Sequence, residues 1–163
     1  MEELVFESSP STSIEQGQRL VALGVKPETA DMVHRHMKSV DSYELIHFPF
    51  SRIMHMRENI NKNPVLKLTG DDLYGKDMPA WSLWRLIEML PLTLIDIRDG
   101  QYYSLVYDIH RDWVCYMSYA YGRECPYNRT LWDTQNCNPY DAFIDCIEWL
   151  INEDRFKKEY LWK

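Results

Sequence analysis

Between residues 78 and 91 the apolar positions fall into a helical rhythm. Leu83, Leu86, Ile87 and Leu90 stand at i, i+3, i+4 and i+7, the spacing that lines one face of a helix. Ser82 is one N-cap for it, and Asp77 is the rival, with Pro79 then in the first turn. Pro91 ends it by biasing Leu90 away from the α region. Two turns of helix are unstable alone, so Leu86, Ile87 and Leu90 are predicted to face a core, with Trp81 beside them. After Pro91 the period changes to two. The pattern predicts a strand over 92–97, a two-residue turn at Asp99-Gly100 and a return strand over 101–109. That turn would set Leu94 against Leu105, Asp96 against Tyr103 and Ile97 against Tyr102. Neither face is clearly polar, so helices would cover one face and a loop or a partner the other. A third strand follows over 113–119, then a long polar-aromatic loop over 121–137.

The other elements are read from their ends. Thr12-Ser13-Ile14-Glu15 fits a capping box opening a helix that runs to Leu23, with Gly24 closing it. Pro27 fits the first position of a second helix, with Ala30, Val33 and Met37 on one side, and the two form an αα-hairpin. The middle is less regular. The pattern there allows a strand over 43–48 and a helix over 51–61 with Ile53, Met56 and Ile60 inward. A short strand over 65–68 and turns at 70–77 follow. Asn138-Pro139 opens a last helix as N-cap and N1, with Phe143, Cys146, Ile147 and Leu150 as its buried stripe. The fold class is therefore α+β: a single domain over 1–163, with an antiparallel three-stranded meander packed against about four helices. Residues 1–11 read as a loose N-terminal segment.

Composition narrows the function classes. With 45% hydrophobic and 13% aromatic residues the chain is no disordered segment. A net charge of −7 argues against a nucleic-acid partner, which selects for a basic excess. No long apolar run and no basic-plus-apolar leader appear, so a cytoplasmic protein without a membrane partner is expected. Cys115, Cys125, Cys137 and Cys146 are too sparse for a disulfide scaffold and lack CxxC pairs, so reduced thiols are expected.

Pro79-Ala80-Trp81-Ser82-Leu83 with Leu86-Ile87-Glu88-Met89-Leu90-Pro91 resembles a "PAWSL…LLEMLP" signature. It is similar to small uncharacterised proteins of Bacteroides-type genomes, often beside phage or mobile-element genes. Segments around Glu15–Met32 and Asn138–Leu150 resemble the same family, covering about a third of the chain with the first. Arg85 departs from it, standing where a capping box with Ser82 would carry a small or acidic residue. The resemblance implies a context and no catalytic residue.

The residues themselves offer little chemistry. His34 and His36 are two apart and, on a helix, diverge too far to share an ion. His110, Asp112 and Cys115 form the one mixed cluster, read as a surface turn followed by a structural thiol. Glycine-rich phosphate loops, metalloprotease and nucleophile-elbow patterns are absent. Acid pairs such as Asp71-Asp72 and Glu153-Asp154 read as solvated. No catalytic residue, metal ligand or cofactor is expected.

Aromatics crowd into 102–132. In strands such rings pack, but in a loop they are harder to hide, and Tyr, Trp and Arg are enriched at interface hot spots. Tyr119, Tyr121, Arg123, Tyr127 and Trp132 are therefore the candidate partner-binding residues; the bland reading is a loop folded over the sheet. The expected function is a non-catalytic accessory or protein-interaction protein, its partner an unidentified protein or a second copy of itself. The alternative is a small enzyme acting on a small-molecule or nucleotide-like ligand.

Overall fold

A computed structural model describes residues 9–62, 76–98, 100–108, 113–118, 129–136 and 138–162. The described residues form four α-helices and two antiparallel sheets, an α+β architecture. They gather into two compact units, Met1–Val21 with Lys26–Arg85, and Ala22–Val25 with Leu86–Lys163. No described helix is long and apolar enough to cross a membrane.

In the first unit helix α1 (Ile14–Ala22) starts one residue later than its sequence suggests. Ser13, not Thr12, is the cap: its hydroxyl accepts from Gln16 N at 3.2 Å, and Gln16 Oε1 accepts from Ser13 N at 2.9 Å. This is the reciprocal box with glutamine in the glutamate's place. Thr12 is freed for the core, where its N–H donates to Trp81 O and its hydroxyl accepts from Trp81 N.

The predicted second helix is absent. Pro27–Thr29 makes one 3-10 turn, Ala30 takes an extended conformation, and Met32–Met37 is strand β1. Val33 is fully buried with Ile46 as partner on one side and Pro79 on the other. Pairing on both edges outweighs the local helix-start signal of Pro27, so there is no αα-hairpin. Strand β2 (Ser42–Ile46) and strand β3 (Met78–Ala80) complete a sheet of order β2-β1-β3. Helix α2 (Phe50–Asn61) buries Phe50 and Ile53, while Met56, expected inward, is 39% exposed. Arg57 takes that side instead, its guanidinium over the Phe50 ring at 5.7 Å. The strand expected over 65–68 and the turns at 70–75 lie outside the described residues.

The signature segment is tied down from a distance. Trp81 is fully buried and its Nε1 donates to Thr29 Oγ1 at 2.9 Å. Ser82 caps helix α3 (Leu83–Met89), its hydroxyl accepting from Arg85 N at 3.1 Å. Asp31 then receives Ser82 N at 2.9 Å and the Ser82 hydroxyl at 2.5 Å, and Arg85 Nε donates to Thr29 O. The carboxylate that a capping box would carry at Arg85 thus comes from another segment. Gly17 lets α1 approach here, since a Cβ on it would lie 2.7 Å from Pro79 O. On α3 the buried face is Leu86 and Met89, followed by Leu90; Leu83 and Ile87 are only half-buried, so the stripe is rotated from the predicted one.

The second unit carries the meander of strands β4 (Thr93–Ile95), β5 (Tyr102–Asp108) and β6 (Trp113–Ser118). Its hairpin register differs from the predicted one by two residues, with Leu94 opposite Tyr103 and Ile95 opposite Tyr102. The cause is Asp96. Its carbonyl accepts from Gly100 N at 2.7 Å and its N–H donates to Gln101 O, which leaves four residues in the turn. Gly100 supplies the left-handed conformation, φ +69°. A two-residue slip preserves which face each side chain occupies.

Strand β7 (Arg129–Gln135) is a further correction, because it lies in the stretch read as loop. It pairs with β6 through a bulge at Tyr116/Met117 and makes the sheet four-stranded, order β4-β5-β6-β7. Helix α4 (Pro139–Asn152) begins as expected, with Asn138 accepting from Tyr140 N at 2.9 Å. It buries Phe143, Cys146, Ile147 and Leu150, and also Tyr140, Ala142 and Ile144. Phe143 meets Tyr107 edge-on at 5.1 Å. Beyond α4 the chain returns to the segment after α1: Val25 bridges Leu161, and Trp162 N donates to Gly24 O.

Candidate functional site

Of the residues proposed from composition, Tyr119, Tyr121, Arg123 and Tyr127 lie outside the described residues. Trp132 sits on β7 opposite Tyr116, half-buried, with its ring stacked on Trp149 at 5.3 Å and 16°. Tyr116, tilted against the same Trp149, donates its hydroxyl to Pro91 O at 2.7 Å. One face of Trp132 is thus committed to packing on α4.

The other candidate groups are placed as follows. Cys115 is fully buried, and burial, then Asp133 and Asp108, pushes its thiol up to about 11. Cys146 is buried and shifted upward for the same first reason. Thiols so shifted are protonated at neutral pH and are poor nucleophiles. His110 and Asp112 lie outside the described residues. Among the described residues no three His, Cys, Asp or Glu side chains gather as a metal site. On a strand His34 and His36 share a face, which a helix would have denied them. Their ring nitrogens nevertheless go to different partners, His34 Nε2 to Thr12 O at 2.7 Å and His36 Nε2 to Asp41 Oδ1 at 2.8 Å.

What the described surface does offer is an apolar edge. Strand β4 ends the four-stranded sheet, and the large side chains on and beside it point into solvent: Leu92 is 72% exposed, Ile95 51%, Ile97 90% and Tyr102 68%. Leu94, Asp96 and Tyr103 occupy the inner face and are buried. The ladder fixes where the backbone points. Leu105 N donates to Leu92 O and Asp96 N to Gln101 O, so the even residues of β4 bond to β5. In an antiparallel pair the alternate residues bond outward, so the N–H and C=O of Thr93 and Ile95 face the edge that no described strand pairs. Edge strands commonly carry lysine, proline or a bulge as protection against pairing. Leu92-Thr93-Leu94-Ile95 carries none of these, and the nearest proline, Pro91, stands just outside it.

Beside the edge lies a cleft of about 390 Å³ lined by Asp96, Ile97, Arg98, Trp149, Glu153 and Arg155, with Leu131. Asp96 is its best-defined charge. The Arg98 guanidinium donates to both carboxylate oxygens, Nη2 at 2.8 Å, and Arg98 N adds a bond to Oδ1. The Arg98 side chain, then its backbone N–H and the charges of Arg98 and Arg155, hold Asp96 at about 2, below its ordinary 3.8. A depressed folded value means that the native state resists protonation, so the stabilisation is present above about pH 4 and is lost as pH falls toward 2. Urea melts of Asp96→Asn against the parent should therefore show a stability gap at pH 7 that closes between pH 4 and 2. A gap unchanged across that window would show that the ion pair does not hold the turn.

This edge was not singled out from the sequence, although its signal was present. Apolar residues on both parities of 92–97 asked for a cover on each face, and one face has none among the described residues. Comparison with protein-family models, curated proteins and solved structures finds no match for this chain.

Proposed function

We propose that this chain is a non-catalytic accessory protein that acts by protein contact, of the phage or mobile-element kind its sequence resembles, and that the β4 edge is its contact surface. The observation that carries this reading is the concentration of Leu92, Ile95, Ile97 and Tyr102 on an edge with outward-facing backbone groups. Exposed apolar clusters of this kind mark interaction sites, and an edge unpaired among the described residues adds main-chain bonds to what the side chains supply. The second reading, a small-ligand site, draws on the cleft where Arg98 and Arg155 stand beside Trp149. Its open, mixed-charge lining lacks the apolar walls and the few convergent polar groups that small-molecule sites share.

Site-specific photo-crosslinking tests the contact reading. A photoreactive residue at position 97 should give a protein adduct in cells of the native host, while one at exposed Asp154 should give far less. No protein adduct from position 97 would overturn the assignment of this edge.

A further inference from the structure

The geometry of β4 also indicates which partner it fits, an inference that rests on reading this edge as a contact surface. We propose that the occupant is a second copy of this chain, paired antiparallel, β4 to β4, about a two-fold axis at Leu94.

Three observations lead there. The outward backbone groups belong to Thr93 and Ile95, which stand symmetrically about Leu94. In a two-fold pairing Thr93 lies opposite the partner's Ile95 and each such pair exchanges both main-chain bonds, while Leu94 meets its own copy as a non-bonded pair. The next outward position is Pro91, which has no N–H to donate and whose carbonyl already accepts from the Tyr116 hydroxyl. The ladder therefore loses its next donor at both ends, and because each copy uses the same edge on the other, the pair is closed.

The side chains fit the same arrangement. Ile95 has Tyr102 across β5 and is exposed with it. Pairing sets the two Ile95 side chains on a diagonal of one sheet face, within reach of each other, and joins the two Tyr102–Ile95 pairs into one apolar strip. Ile97, the first residue of the turn, would be covered from the same side.

Charge then favours a like partner. The whole chain carries −7, so most of its surface repels a second copy. The charged residues lining the cleft beside β4 are Asp96, Arg98, Glu153 and Arg155, two of each sign, which sum to zero. The lining of this cleft brings no net charge to a second copy paired beside it. A basic partner would instead be drawn to the acidic remainder of the chain.

Sedimentation velocity at rising chain concentration, up to about 200 µM, is the first measurement, because a short edge gives a weak interface. The expected result is a shift from the 19.6 kDa chain to twice that mass, abolished in Ile95→Lys with its melting temperature unchanged. The register is read separately by mixing Thr93→Cys chains with Ile95→Cys chains and oxidising. The opposed Cα atoms would stand about 5.5 Å apart, within disulfide range, whereas like residues lie on diagonals beyond it. The mixture should give a 93–95 crosslinked peptide, found by mass spectrometry, that neither variant gives alone. A monomer at every concentration, a dimer that survives Ile95→Lys, or a dimer without the 93–95 crosslink each overturns the proposal. The contact reading fails separately: a position-97 adduct with a different protein refutes self-pairing but sustains that reading, and no adduct refutes both.

Discussion

Trp81→Ala should lower stability by about 3–5 kcal/mol in urea melts, the range for deleting a buried indole. Trp81 is fully buried, and its ring N–H ends on Thr29 Oγ1, which itself donates to Lys26 O. Truncation leaves a cavity that the neighbouring segments close only in part, and it leaves Thr29 short of one donor. The main-chain bonds of Trp81 with Thr12 survive, so the loss is a side-chain effect. Trp81→Phe retains most of the volume and gives up the N–H, and should cost clearly less. A loss under about 1 kcal/mol for the alanine variant would mean that the site collapses freely and is not a packed core.

In the second unit Phe143→Ala should cost a similar 3–5 kcal/mol. Phe143 is fully buried on α4 and meets Tyr107 edge-on, at 5.1 Å and 63°. Aromatic pairs of that geometry contribute about 0.5–1.5 kcal/mol beyond their buried area. Phe143→Leu keeps the burial and loses the ring pair, so the gap between the two variants measures the cavity. Chemical denaturation followed by circular dichroism gives both numbers. If the leucine variant were as unstable as the alanine one, ring geometry and not volume would govern this position.

Elements whose signals are local were legible in the sequence. Asn138-Pro139 announces α4 because cap and N1 proline act within one turn, and the structure has that cap bond. The meander strands follow from period two, and Ser82 does cap α3. Where distant residues decide, reading fails in identifiable ways. Residues 27–37 carry a proline start and a helix-compatible Ala30, Val33, Met37 spacing, but β2 and β3 claim them by pairing. Thr12 looks like a cap and Asp96 like a strand residue; the first is taken by Trp81, the second reshapes its own turn with Arg98. For the candidate surface the difficulty was of another kind. Composition points to dense aromatic residues such as Trp132, whose partner Trp149 is one strand-to-helix step away. Exposure at Ile95 and Ile97 depends on what fails to cover them, which no local pattern records.

The carboxylate that Asp31 lends to Ser82 has a consequence for the order of assembly. Seven residues of α3 cannot nucleate a lasting helix, since the first turn fixes many dihedrals for one bond. The group that completes its cap is 51 residues away in sequence. Closing a flexible loop of that size costs roughly 3.5 kcal/mol, apart from a constant, before any contact rewards it. The pairing of Met32 with Ala80 carries the turn at 29–31 to Ser82, so the cap of α3 depends on the β1–β3 ladder as well as on its own sequence.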